Sequence, residues 1–157
     1  MIVESLGGWI PGRGGVLSIS RSSSRIERRL LLAHESFHGI FFSSPEYRGF
    51  CQDLWASLPA EEKGFYEAFL DSLGYDVTDP TLVVNEFQAY LMQQPVSYAA
   101  AYFQGFLVLL ESRGTGSPPA AGPLLQTAQS LDAFLRARFG FGAGGPLLAS
   151  LENGAAR

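Results

Sequence analysis

Apolar residues recur at three- and four-residue spacing through most of the chain, and the breaks in that rhythm divide it into a series of helices. Ser24-Arg25-Ile26-Glu27 has the form of a capping box. A serine and a glutamate three residues apart can each satisfy a free backbone donor, so a helix is predicted to start there. Ile26, Leu30, Phe37 and Ile40 mark its apolar contacts, and Leu31, Leu32 and Ala33 add bulk on further sides, as expected of a helix that crosses the core. Ser44-Pro45 opens a second helix, with proline at the first helical position and Tyr47, Phe50, Leu54 and Trp55 on its apolar side. Pro59-Ala60-Glu61-Glu62 opens a third, where acidic residues suit the positive end of the dipole and Phe65, Phe69 and Leu73 recur until Gly74. Asp79-Pro80 caps a fourth, stopped near Gln94 by Pro95, with Leu82, Val83, Phe87, Tyr90 and Leu91 inward. A fifth helix is predicted from Ser97 to Ser112 and a last one from Leu124 to Phe139.

Ahead of the first helix the period changes. Ile2-Val3-Glu4-Ser5 and Val16-Leu17-Ser18-Ile19-Ser20 are short β-favouring runs separated by glycines and Pro11, the pattern of a small hairpin. The expected fold is mainly α with a small N-terminal β hairpin, a compact α+β domain. Residues 1–112 form its main body, and 113–123, rich in Gly, Ser, Pro and Ala, a linker or exposed loop. The helix over 124–139 is expected to pack on the same body, and 140–157 to be a flexible tail.

Composition narrows the function classes. With 157 residues, 46% of them hydrophobic and 17% charged, the chain can bury one core without cross-links and is not disordered throughout. A net charge of −4 with no basic run gives no phosphate-tracking surface, so nucleic acid is not an expected partner. Cys51 is alone, which excludes an intrachain disulfide and the cysteine-rich structural zinc sites. Met1 to Gly8 lacks the pattern of a secretory signal, and the most apolar stretch, Val96 to Leu110, is short for a membrane span and contains Gln104. A cytoplasmic location, or excision from something larger, and no membrane partner are expected.

The two histidines of the chain fall in one string, His34-Glu35-Ser36-Phe37-His38, the HExxH pattern of zinc-dependent hydrolases. Residues four apart share a helix face, so both imidazoles can reach one metal ion while Glu35 approaches a water beside it. A catalytic zinc takes three protein ligands and leaves a position open. With no third histidine the remaining ligand must be a carboxylate. Glu86, a charge in the middle of an apolar helix, is the strongest candidate because such a charge must be paired or metal-bound. The plainer alternatives are a structural histidine pair and a salt bridge from Glu86 to an arginine.

His34-Glu35-Ser36-Phe37-His38 followed on a later helix by Asn85-Glu86-Phe87-Gln88-Ala89-Tyr90 resembles the gluzincins, zinc metallopeptidases whose third ligand is a glutamate on a second helix. The resemblance covers roughly His34 to Tyr90. It implies a zincin-like helical domain with one Zn2+ per chain held by His34, His38 and Glu86. It further implies Glu35 as general base, and a peptide or protein as substrate. Many gluzincins place an acidic residue one turn after the glutamate ligand to orient a histidine; here that place is Tyr90, whose hydroxyl could accept the bond. Tyr90, Tyr98 and Tyr102 are candidate donors to an oxyanion, with core packing as their plainer role. The strand holding Val16, Leu17 and Ser18 is a candidate edge for an extended peptide. Gluzincins commonly place a sizeable sheet subdomain before the motif helix, and only 33 residues precede His34. The expectation is a minimal version, or the catalytic part of a longer protein. The rival reading is a zinc-containing binding or regulatory module of zincin-like fold that is catalytically silent.

Overall fold

The computed structural model describes residues 22–113 and 121–144. Among them are six α-helices and one short 3-10 turn, and no strand: α1 (Arg25–Ser43), α2 (Pro45–Ser57), α3 (Ala60–Ser72), α4 (Pro80–Met92), the turn at Val96–Tyr98, α5 (Ala99–Arg113) and α6 (Ala121–Phe139). The expected α+β class is thereby corrected to a helical domain. The runs assigned to the hairpin, Ile2 to Ser5 and Val16 to Ser20, lie outside the described residues. No described helix is long and apolar enough to cross a membrane.

The helix starts follow local chemistry. Ser24 Oγ accepts from Glu27 N while Glu27 Oε2 accepts from Ser24 N at 2.7 Å, which closes the capping box. Ser44 accepts from Tyr47 N ahead of Pro45, and Asp79 Oδ1 accepts from the N–H groups of Thr81 and Leu82 ahead of Pro80. The end of α3 comes slightly before the glycine that marks it: Gly74 sits at φ +89°, and Leu73, expected inside, is exposed.

The centre of the domain is α4 rather than the motif helix. It packs against α1, α2, α3 and α6, and buries residues on every side, from Val83 through Ala89 and again at Leu91 and Met92. The motif helix α1 lies along one flank of it, burying Ala33, His34, Phe37 and Phe41 while Leu31, Leu32 and Phe42 are exposed. An apolar run such as Leu30-Leu31-Leu32-Ala33 fits both a fully enclosed helix and one with a wide buried face, and only the packing of α4 separates the two. Phe65, Tyr66 and Phe69 of α3 pack edge-on against Phe103 of α5, and Phe50 of α2 stacks on Phe134 of α6 at 4.2 Å.

Two boundaries move. α6 begins three residues earlier than expected, at Ala121, because Pro123 falls in its first turn, where a missing N–H breaks no helical bond. The start of the tail is held: Ala143 N donates to Asp132 Oδ1 at 2.6 Å and Gly144 N donates to Met92 O at 2.8 Å. A side chain at Gly144, where φ is +65°, would run into Pro95, so glycine is required for the chain to close over the end of α4.

Candidate metal centre

His34 and His38 lie one turn apart on the flank of α1 that meets α4, with ring centroids 4.6 Å apart and planes perpendicular. From α4, Glu86 points between them. Its Oε2 is 3.4 Å from His34 Nε2 and its Oε1 is 3.5 Å from His38 Nε2. Among the described residues the ion pairs of Glu86 are with these two histidines and not with an arginine, which removes the salt-bridge alternative.

The other ring nitrogens decide what those short approaches mean. His34 Nδ1 is 3.1 Å from Gln93 Oε1, and His38 Nδ1 is 3.0 Å from Asn85 Oδ1. An amide oxygen only accepts, so each Nδ1 carries a proton and donates it, and in a neutral ring each Nε2 then presents a lone pair. Two lone pairs and a carboxylate thus face one point. Glu86 is 6% exposed, and its Oε2 has no hydrogen-bond partner. A buried acceptor left in that state costs about 1–3 kcal/mol, and more for a charged group. The arrangement calls for positive charge at its centre, either as extra protons on the rings or as a metal ion.

Distances favour the ion. Charge-assisted N–H···O bonds close to about 2.7–2.9 Å, well inside the 3.4 and 3.5 Å found here. The spacing leaves room for an ion between the three groups. Glu35 is part of the same assembly: it, His34 and His38 can each offer one ligand atom such that all three lie within 4.8 Å of one another. The His34-Glu35-His38 group could hold a metal ion, and Glu86 faces its two histidines from α4.

The order of the pairs, 34 with 93 and 38 with 85, sets α1 antiparallel to α4. Asn85, Glu86, Tyr90 and Gln93 share the face of α4 that α1 covers, and Ala89 on that face is fully buried.

The tyrosines are placed differently from one another. The Tyr90 ring packs on His34 at 4.5 Å, but its hydroxyl is 3.2 Å from that of Tyr75 and does not bond the imidazole. Burial pushes the Tyr90 hydroxyl well above its ordinary pKa, with Tyr75 adding to the rise, so it stays protonated. Tyr102 lies behind Tyr90 with the rings 6.2 Å apart. Tyr98 is exposed on the 3-10 turn and shows no hydrogen bond or ring contact with the histidines. Val16, Leu17 and Ser18 lie outside the described residues.

Three residues of the assembly were missed in the sequence: Asn85, Gln93 and Tyr75. Burial raises the Tyr75 pKa; the bond to Tyr90 opposes the rise, and the Glu86 carboxylate, through its charge and a side-chain hydrogen bond, and the Glu35 charge add to it. Gln93 follows Glu86 by seven and Asn85 by eight, spacings that share a helix face, and that was the available signal. Tyr75 comes from the segment between α3 and α4 and carries no such signal.

Cys51 takes no part. It is fully buried, and burial pushes its thiol from 9.0 up to about 12, against a smaller opposing pull from Tyr47. The folded state therefore holds the proton more tightly than the unfolded one, so this group supports folding below about pH 9 and progressively loses that contribution as pH rises towards 12. Alkylation of the native protein at pH 8 is expected to follow the rate of unfolding, with full reaction in denaturant; rapid native labelling would contradict this burial.

Compared with protein-family models, with curated proteins and with solved structures, the chain matches none, and the chemistry of the site is carried by its geometry.

Proposed function

We propose that the protein is a zinc-dependent peptidase of gluzincin type, acting on a peptide or protein substrate. The observation that carries the reading is the buried Glu86 carboxylate, its Oε2 without a hydrogen-bond partner, facing two imidazoles whose Nδ1 protons are already committed. Two nitrogens and one carboxylate oxygen, with no thiolate within reach, is a donor set that suits zinc with a position left open.

A zinc ion held there supplies Lewis acidity towards a carbonyl and acidifies water. His34, His38 and Glu86 hold it, and Asn85 and Gln93 fix the rings that do so. Glu35, on α1 between the histidines, takes the proton of the attacking water and returns it to the leaving amine. The Tyr75 hydroxyl, backed by Tyr90 and on the Glu86 side of the site, is the donor assigned to the charge that develops on the carbonyl oxygen. A tyrosine hydroxyl is neutral at working pH, and burial raises the Tyr75 pKa further, so it has a proton to donate.

Cleavage of a diverse peptide library, lost on chelation and restored by stoichiometric zinc, is the expected result. Zinc uptake at one per chain with no cleavage of any peptide would favour the silent binding module instead.

A further inference from the structure

We infer that Gln93 is a positioning residue that sets how tightly the site holds its metal, and that it does so as a neutral acceptor. The inference rests on the metal reading above. Gln93 is 3% exposed and sits at the end of α4, 59 residues from His34 in sequence, with its Oε1 on His34 Nδ1. Its backbone is fixed from both sides. Gln93 N donates to Ala89 O at 3.0 Å, and the carbonyl before it, Met92 O, accepts from Gly144 N.

The orientation of the amide has a physical cause. Its Nε2 end makes no close hydrogen bond but is turned towards the Tyr102 hydroxyl, while its Oε1 end bonds His34 Nδ1. The Tyr102 hydroxyl is the polar neighbour on which the amide acts, opposing the effect of burial there. Turning the amide over would present Nε2 to His34 Nδ1, force the ring proton onto Nε2, and block the atom that faces Glu86. The oxygen end therefore selects the tautomer with Nε2 open.

Neutrality has a further consequence. A carboxylate in the same place would draw the Nδ1 proton more strongly, make the imidazole a better donor to a metal, and add a further negative charge to those of Glu86 and Glu35. With amides on both rings, neither far ring nitrogen faces a carboxylate, so a metal there would be held less tightly and keep more of its charge for substrate. Asn85 does the equivalent for His38 from two turns earlier.

The test is a zinc competition titration against a chromophoric chelator on wild type, Gln93→Met and Gln93→Glu, with thermal melts of the three apo proteins. Methionine keeps the bulk and loses the acceptor; its zinc affinity is expected to fall about 10- to 100-fold. Glutamate restores the acceptor with charge, and affinity is expected to return to at least the wild-type value although its apo form melts lower. Equal affinities in all three proteins overturn the inference. So does an equal loss in both variants, which would mean that the side chain matters for packing alone. A wild-type chain that takes up no zinc defeats the metal reading itself, before the variants are compared.

Discussion

Replacing Glu35 by glutamine is expected to leave zinc bound and to lower peptide cleavage about 10²- to 10⁴-fold, the usual worth of a positioned general base. The carboxylate lies beside the imidazoles without being one of the groups that face each other across the α1–α4 contact. Glutamine keeps its shape and hydrogen-bonding reach but cannot accept a proton. The loss should fall on kcat while zinc stoichiometry and melting temperature stay at wild type, since a step made only in the transition state is removed. Simultaneous loss of zinc would move Glu35 into the ligand set, and undiminished cleavage would remove it from the reaction.

Glu86→Gln is expected to behave in the opposite sense on stability. With zinc at a hundred times its Kd, binding stabilises the wild type by about 2.7 kcal/mol. At about 2–4 °C per kcal/mol for a chain of this size, that is a rise of about 5–10 °C in melting temperature. In Glu86→Gln the rise should vanish. Without metal, however, the variant should melt at or above the apo wild type, because a neutral amide no longer leaves a buried carboxylate oxygen without a partner. If Glu86 were merely an acceptor for two protonated rings, the same substitution would destabilise the protein with or without zinc. Differential scanning fluorimetry on chelated and zinc-loaded samples separates the two.

Helix starts were legible because their causes are local. Ser24 with Glu27, Ser44 with Pro45, and Asp79 with Pro80 each satisfy nearby backbone donors whatever the rest of the chain does. His34, His38 and Glu86 were legible because their residue types are costly or rare in a core unless something uses them, and the structure brings their atoms together. Asn85 and Gln93 were not: a glutamine near a helix end reads as solvent-facing until the helix is known to be the buried centre of the fold. The reassignment of the centre from α1 to α4 has the same root. Both helices are apolar enough, and what decides is that α4 receives four neighbours while α1 receives fewer. Gly140 to Gly144 read as a loose tail because glycine-rich stretches usually are. Here their freedom at positive φ lets the chain turn back onto α4, and Asp132 and Met92 then hold it.

Anomalous diffraction recorded on either side of the zinc absorption edge, from crystals of protein grown with stoichiometric zinc, tests the central claim most directly. The expected result is one strong peak between α1 and α4, about 2.0–2.2 Å from His34 Nε2, His38 Nε2 and a carboxylate oxygen of Glu86, with Gln93 and Asn85 still on the far ring nitrogens. An absent peak at that point, with Glu86 hydrogen-bonded to protonated rings, would contradict it.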